Sequence, residues 1–167
     1  CVRYPPEAQR GCAEPGGTRV GGDNDTVVDF DVTLPRDVGL DAQTVNGSIE
    51  ARTSGAVTAA TVNGRVNVDA PEIRDVKSTN GSLDLHVNAP GRAALTAKTV
   101  NGSIRVDLPA GSGATISAKT LLGGIDVPGL AVQKPRFGPG ASASGTIGDG
   151  ARSVDLQTTN GSIVVRR

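Results

Sequence analysis

Apolar and polar residues alternate with a period of two on either side of a recurring Asn-Gly pair. In the first instance Leu40, Ala42 and Thr44 precede the pair and Ile49, Ala51 and Thr53 follow it, while Val45, Ser48 and Glu50 fall in the opposite phase. In the fourth, Leu95, Ala97 and Thr99 lead into the pair and Ile104, Val106 and Leu108 lead out. A period of two puts each set on one face of a strand, so every unit predicts strand, corner, strand. The phrase Thr44-Val45-Asn46-Gly47-Ser48-Ile49 returns around Asn63-Gly64, Asn80-Gly81, Asn101-Gly102, Leu122-Gly123, Ser144-Gly145 and Asn160-Gly161, at spacings of 17, 17, 21, 21, 22 and 16 residues. Thr or Ser stands two residues before each corner and an aliphatic residue three after it.

An Asn-Gly pair between alternating strands ordinarily marks a two-residue hairpin. A meander of hairpins gives no reason for like residues to return at the same corner. Parallel stacking does, because equivalent residues of successive units then lie about 4.8 Å apart. The predicted fold is therefore all-β, a single-stranded parallel β-helix (β-solenoid) of about seven coils stacked in chain order. Asn46, Asn63, Asn80, Asn101 and Asn160 are expected to form a hydrogen-bonded ladder at corners where Asn tolerates positive φ. Gly47, Gly64, Gly81, Gly102, Gly123, Gly145 and Gly161 are expected to let the backbone turn. Leu122 and Ser144 interrupt the ladder, which makes the fifth and sixth coils the least regular.

Residues 1–26, rich in Pro, Gly and charge, read as a leader or N-terminal cap, and residues 27–167 as the solenoid domain. Asp23, Asn24 and Asp25 lack the Gly and distal Glu of a calcium loop and read as a polar turn. Val28, Phe30, Val32 and Leu34 predict a strand, the second arm of a preceding coil, with Phe30 as an apolar plug. The largest insertion, Pro128 to Gly140, carries Lys134, Arg136 and Phe137. It is either a contact surface or a loop folded over a poorly filled fifth or sixth coil. The seventh coil reads as an ordinary one, with no polar cap, and its unpaired strand edges would invite a partner.

Composition fits a narrow coil. Apolar residues make up 37% of the 167, there is no Trp, and the only aromatic residues are Tyr4, Phe30 and Phe137. With 17 basic and 17 acidic residues, no global field steers the chain to nucleic acid or an anionic membrane. No apolar run is long enough to span a bilayer and no signal peptide is visible. A chain that starts at Cys1 and holds no Met is read as a processed or trimmed product. Besides the plainer reading of two unrelated thiols, Cys1 and Cys12 suit either a disulfide or a lipid on Cys1, as at the first residue of bacterial lipoproteins. Both point outside the cytoplasm, to an extracellular or cell-envelope location.

The Thr-Val-Asn-Gly-Ser-Ile phrase, together with Phe30-Asp31-Val32-Thr33-Leu34-Pro35, resembles a bacterial adhesin-like family of β-solenoid domains whose function has not been assigned. The resemblance covers about residues 27–167. It implies a secreted or envelope β-helix, often lipoprotein or membrane-anchored, and brings no catalytic residues, cofactor or metal site with it.

Outward residues fall into columns. One reads Gln43, Ala60, Lys77, Lys98, Lys119 and Gln157, where Lys77, Lys98 and Lys119 offer a site for a polyanion, against the plainer reading of a solvated face. On the other strand Asp84, His86, Asp69 and Asp107 are expected to converge, the best enzymatic candidate, although the signs alternate as in a charge ladder and no Trp or Tyr is there to stack on a sugar ring. Asn24 is the one plausible N-glycosylation acceptor, the four Asn-Gly-Ser triplets being explained by the repeat. The expected function is non-enzymatic, without cofactor or metal: a surface solenoid that stacks end to end into fibres. The alternatives are a monomeric adhesin or envelope-sensor domain binding a polyanion or glycan through the Lys column or the 128–140 loop, and a polysaccharide-active enzyme.

Overall fold

The computed structural model describes residues 29–136 and 139–167. The chain divides after Val32, and every strand among the described residues lies in the unit Thr33–Arg167. No helix is present among the described residues. Each of the first five repeats contributes two strands, one before and one after its corner: β1 (Leu40–Gln43) and β2 (Ile49–Arg52), β3 (Ala56–Asn63) and β4 (Val66–Ala70), β5 (Glu72–Asn80) and β6 (Leu83–Val87), β7 (Leu95–Asn101) and β8 (Ile104–Asp107), β9 (Ala114–Leu122) and β10 (Ile125–Asp126). β11 (Val132–Gln133) and β12 (Ala141–Ile147) follow. The last repeat then gives β13 (Arg152–Asn160) and β14 (Ile163–Arg166). Strands before the corners form one sheet, in the order β1-β3-β5-β7-β13-β9-β12-β11. Strands after them form a second, β10-β14-β8-β6-β4-β2.

Pairing between repeats is parallel, with like residue beside like: Leu40 beside Val57, Ile49 beside Val66, Leu83 beside Ile104. The inward phase of both sheets joins one core that includes Val57, Ile73, Leu95 and Leu156 from the first sheet and Val66, Leu85, Ile104 and Ile163 from the second, all within 2% of complete burial. Each such aliphatic side chain is worth roughly 1.5–3 kcal/mol of transfer free energy, so these two rows outweigh any surface contact in the molecule.

The order of the repeats is not the order of the chain. β13 lies between β7 and β9, parallel to both, and β14 lies between β8 and β10. The seventh repeat is thus flanked on both sides, and the open terminal coil expected from the sequence does not exist. The sixth expected coil is also absent. Ser144 and Gly145 sit inside β12, which runs antiparallel to β9, and no corner forms there. Gly145 serves a different purpose, since a Cβ on it would come within 2.6 Å of Leu130 Cδ2. Residues 108–113 carry the chain past a vacant position from β8 to β9. After β12 the segment 148–151 crosses the start of β9, with Asp149 pressed on Gly113, and returns the chain to fill that position.

This placement explains the corner motif. The Asn ladder runs without interruption through Asn46, Asn63, Asn80, Asn101 and Asn160, each Nδ2 donating to the Oδ1 of the preceding rung at 2.7–2.8 Å. Leu122 ends it, beside Asn160. The ladder lies on the exposed corner, not inside. Among these corner Asn residues none has positive φ, and among the described residues the single non-glycine residue with positive φ is Asp37. The glycines answer to crowding more than to turning: a Cβ on Gly64, Gly81, Gly102, Gly161 or Gly123 would collide with the carbonyl oxygen of the glycine in the neighbouring repeat. That same carbonyl accepts the buried Thr or Ser hydroxyl two residues before the next corner, from Thr61, Ser78, Thr99, Thr158 and Thr120.

At the other end, residues 29–35 form no strand, and Phe30 is 65% exposed, not a plug. Pro35 has no N–H for a ladder, and the chain turns at Asp37, whose N–H donates to Ser54 Oγ. Among the described residues the first sheet therefore begins at β1.

Candidate functional site

Insertion of the last repeat rearranges the lysine column. Reading across the first sheet, the outward order is Gln43, Ala60, Lys77, Lys98, Gln157, Lys119, Ser142. Lys77 is paired with Asp75 on its own strand. Lys98 and Lys119 make no ion pair among the described residues. They flank Gln157, two strand spacings or about 10 Å apart. Gln157 itself is held by Asp155. Together with Thr159 and Leu121 they line a shallow groove of about 420 Å³.

Beside this column runs another, Val45, Val62, Thr79, Val100, Thr159 and Leu121, whose four apolar members are all at least 40% exposed. Two uncompensated ammonium groups over a flat, partly apolar strip suit a repeating anion better than a small molecule held on all sides.

The second sheet does not assemble the expected carboxylate cluster. His86 lies in register between Asp69 and Asp107, but Asp84 is two positions away along β6 and is taken up by Arg105 at 3.4 Å and Arg65 at 3.9 Å. Asp69 accepts from Asn88 Nδ2 at 2.7 Å. Among the described residues no group of three or more His, Cys, Asp or Glu side chains is placed to hold a metal ion. The alternating signs behave as an exposed charge ladder, each pair worth about 0–1 kcal/mol.

The insertion after β10 folds back as the hairpin of β11 and β12 along β9, with Leu130 packed against the core. Lys134 and Arg136 are exposed on it. Phe137 lies outside the described residues, as do Cys1, Cys12 and Asn24.

A second concavity, of about 410 Å³, opens where β3, β5 and β13 begin, beside the loop 88–94 between β6 and β7. Its floor holds Arg152, only 2% exposed. Nη2 reaches the Pro71 carbonyl at 3.4 Å, and Nη1 has no partner among the described residues. Burial lowers the Arg152 pKa below its ordinary value and the nearby Glu72 carboxylate opposes that shift; the guanidinium remains charged at any physiological pH. Arg74, paired with Glu72 at 2.6 Å, and exposed Arg92 stand at the rim with Asp37 and Ser54. Arg152 shares the inward parity of Val154, Leu156 and Thr158, and this phase is the sequence signal by which it was findable.

No protein-family model matches the chain, nor does any curated protein or solved structure.

Proposed function

We propose that this protein is a non-enzymatic β-solenoid of the cell envelope or extracellular space, a rigid scaffold whose first sheet presents a flat face to an anionic surface polymer. Its stack holds six repeats with strands in both sheets and is closed on one side of the first sheet by the antiparallel hairpin. The single observation that carries the binding reading is the pair Lys98 and Lys119, uncompensated on either side of Gln157. Phosphate or carboxylate groups spaced along a polymer neutralise such a pair, while the exposed Val100 and Leu121 beside it give the polymer backbone an apolar contact. Affinity of that kind falls with added salt.

Fibre formation end to end loses its original motive, because β14 is internal. Among the described residues the edge strands are β1 and β2 on one side, and the two-residue strands β10 and β11 on the other. On β2 the paired Glu50 and Arg52 side chains discourage edge-to-edge growth. Monomeric binding is therefore the reading the geometry favours.

No helix among the described residues is long and apolar enough to cross a membrane.

The test is binding of a polyglycerol phosphate or a polyuronate to the chain and to the double variant Lys98→Gln, Lys119→Gln. A loss of about tenfold or more, with a weaker salt dependence, is expected. Equal binding by both proteins removes this reading, and reversible fibres at high concentration restore the alternative.

A further inference from the structure

The cleft around Arg152 lies away from the lysine face and has features that a scaffold alone does not require. A guanidinium 98% removed from solvent carries a desolvation cost that paired hydrogen bonds normally offset. Here the pairing is incomplete: one long bond to the Pro71 carbonyl, and an Nη1 with no partner among the described residues. Glu72 is the neighbouring anion, but its Oε1 is held by Arg74. Gly91 faces the guanidinium, and a Cβ there would come within 2.8 Å of Nη2, so the bare backbone of loop 88–94 is what lets the loop pack on it.

We propose that this cleft binds the oxyanion of an acidic sugar unit, a sugar carboxylate or a sugar phosphate, with Arg152 and Arg92 as its cationic contacts. An isolated anion would suit a site lined by cations alone. This one also holds Asp37, Glu72 and Ser54, whose oxygens accept from sugar hydroxyls, and its volume of about 410 Å³ is within the range of small-ligand sites. Arg is the residue suited to bidentate recognition of either oxyanion, and its worth rises in a partly desolvated site.

The experiment is a titration of the isotope-labelled protein with glucuronate, glucose 6-phosphate, inorganic phosphate and glucose, following the backbone amides of Gly55, Gly91 and Ala93. Saturable shifts are expected with glucuronate or glucose 6-phosphate and none with glucose; which of the two acts identifies the source of the anion. Arg92→Gln, an exposed rim change, should weaken binding about tenfold. Arg152→Met should abolish it. Should the latter variant fail to fold, Arg92→Gln decides alone. The Lys98→Gln, Lys119→Gln variant should bind these sugars unchanged, which separates this site from the lysine face. The proposal is overturned by absence of shifts with both acidic sugars, by equal affinity in Arg92→Gln, or by inorganic phosphate binding as well as glucose 6-phosphate.

Discussion

Asn160 donates its side-chain N–H to Oδ1 of Asn101 at 2.7 Å, across 59 positions of sequence. That bond places the last repeat on the fourth one, and it completes a five-rung ladder from which Leu122 is excluded at one end. Central rungs donate and accept, so removing one costs two bonds. Asn101→Ala should lower stability by about 1–2 kcal/mol and Asn46→Ala, at the end, by about half as much. Leu122→Asn should extend the ladder toward the unused Asn160 Oδ1 and raise stability by a few tenths of a kcal/mol. Urea unfolding midpoints check all three.

Gly102 and Gly47 stand at equivalent corners but in different surroundings. A Cβ on Gly102 strikes the Gly81 carbonyl, which is backbone and cannot yield without opening the stack. At Gly47 the nearest atom is Thr44 Oγ1 at 3.3 Å. Gly102→Ala should therefore cost about 3 kcal/mol or more and Gly47→Ala under about 1 kcal/mol, measured by thermal unfolding.

Removing residues 152–167 strips the partners from β7, β8, β9 and β10 together. Such a truncated chain should associate through its unsatisfied edges and show fast amide exchange on both sides of the gap. A synthetic peptide of residues 152–167, added in trans, should bind the truncated chain and restore a monomer by sedimentation. Persistence of a stable monomer without the peptide contradicts the insertion.

The corners also bear on chemical ageing. Asn-Gly is prone to deamidation because the glycine nitrogen attacks the Asn side-chain carbonyl, closing a succinimide as ammonia leaves. At all five Asn corners that N–H is already donated to the neighbouring repeat, from Gly47 to Asn63, Gly64 to Asn80, Gly81 to Asn101, Gly102 to Asn160 and Gly161 to Leu122. The folded protein should hold its mass during prolonged incubation at mildly alkaline pH. In urea, the same chain should gain the mass of successive amide hydrolyses.

The paired strands of the six stacked repeats, their inward faces and their corners were legible in Thr-Val-Asn-Gly-Ser-Ile, because period-two alternation and a returning turn are local signals. The same alternation through Val28, Phe30, Val32 and Leu34 wrongly predicted a strand, since residues 29–35 form none. The order of stacking was not. Repeats with nearly the same corner pair equally well with one another, and nothing near Asn160 states which neighbour it will meet. The clue lay at a distance: a ladder of like on like cannot pass through Leu122, so the five Asn residues had to be gathered on one side of it. Ser144-Gly145 misled for the opposite reason, since a Gly that clears space for Leu130 looks locally like one that clears a corner. The lysine column was readable as a column but not in its order, and Arg152, in phase with Val154 and Leu156, carries no local mark that tells a buried guanidinium from an outward one.

The position of β13 and β14 fixes a timetable as well as a shape. A ribosome adds about 5–20 residues per second, so several seconds separate the appearance of Leu108 from that of the residues that will lie against it. For that interval the nascent chain holds a berth in the middle of its own stack, which cannot be completed storey by storey as it emerges. A factor that shelters nascent chains, or passage across a membrane before folding, would find its most natural point of action there.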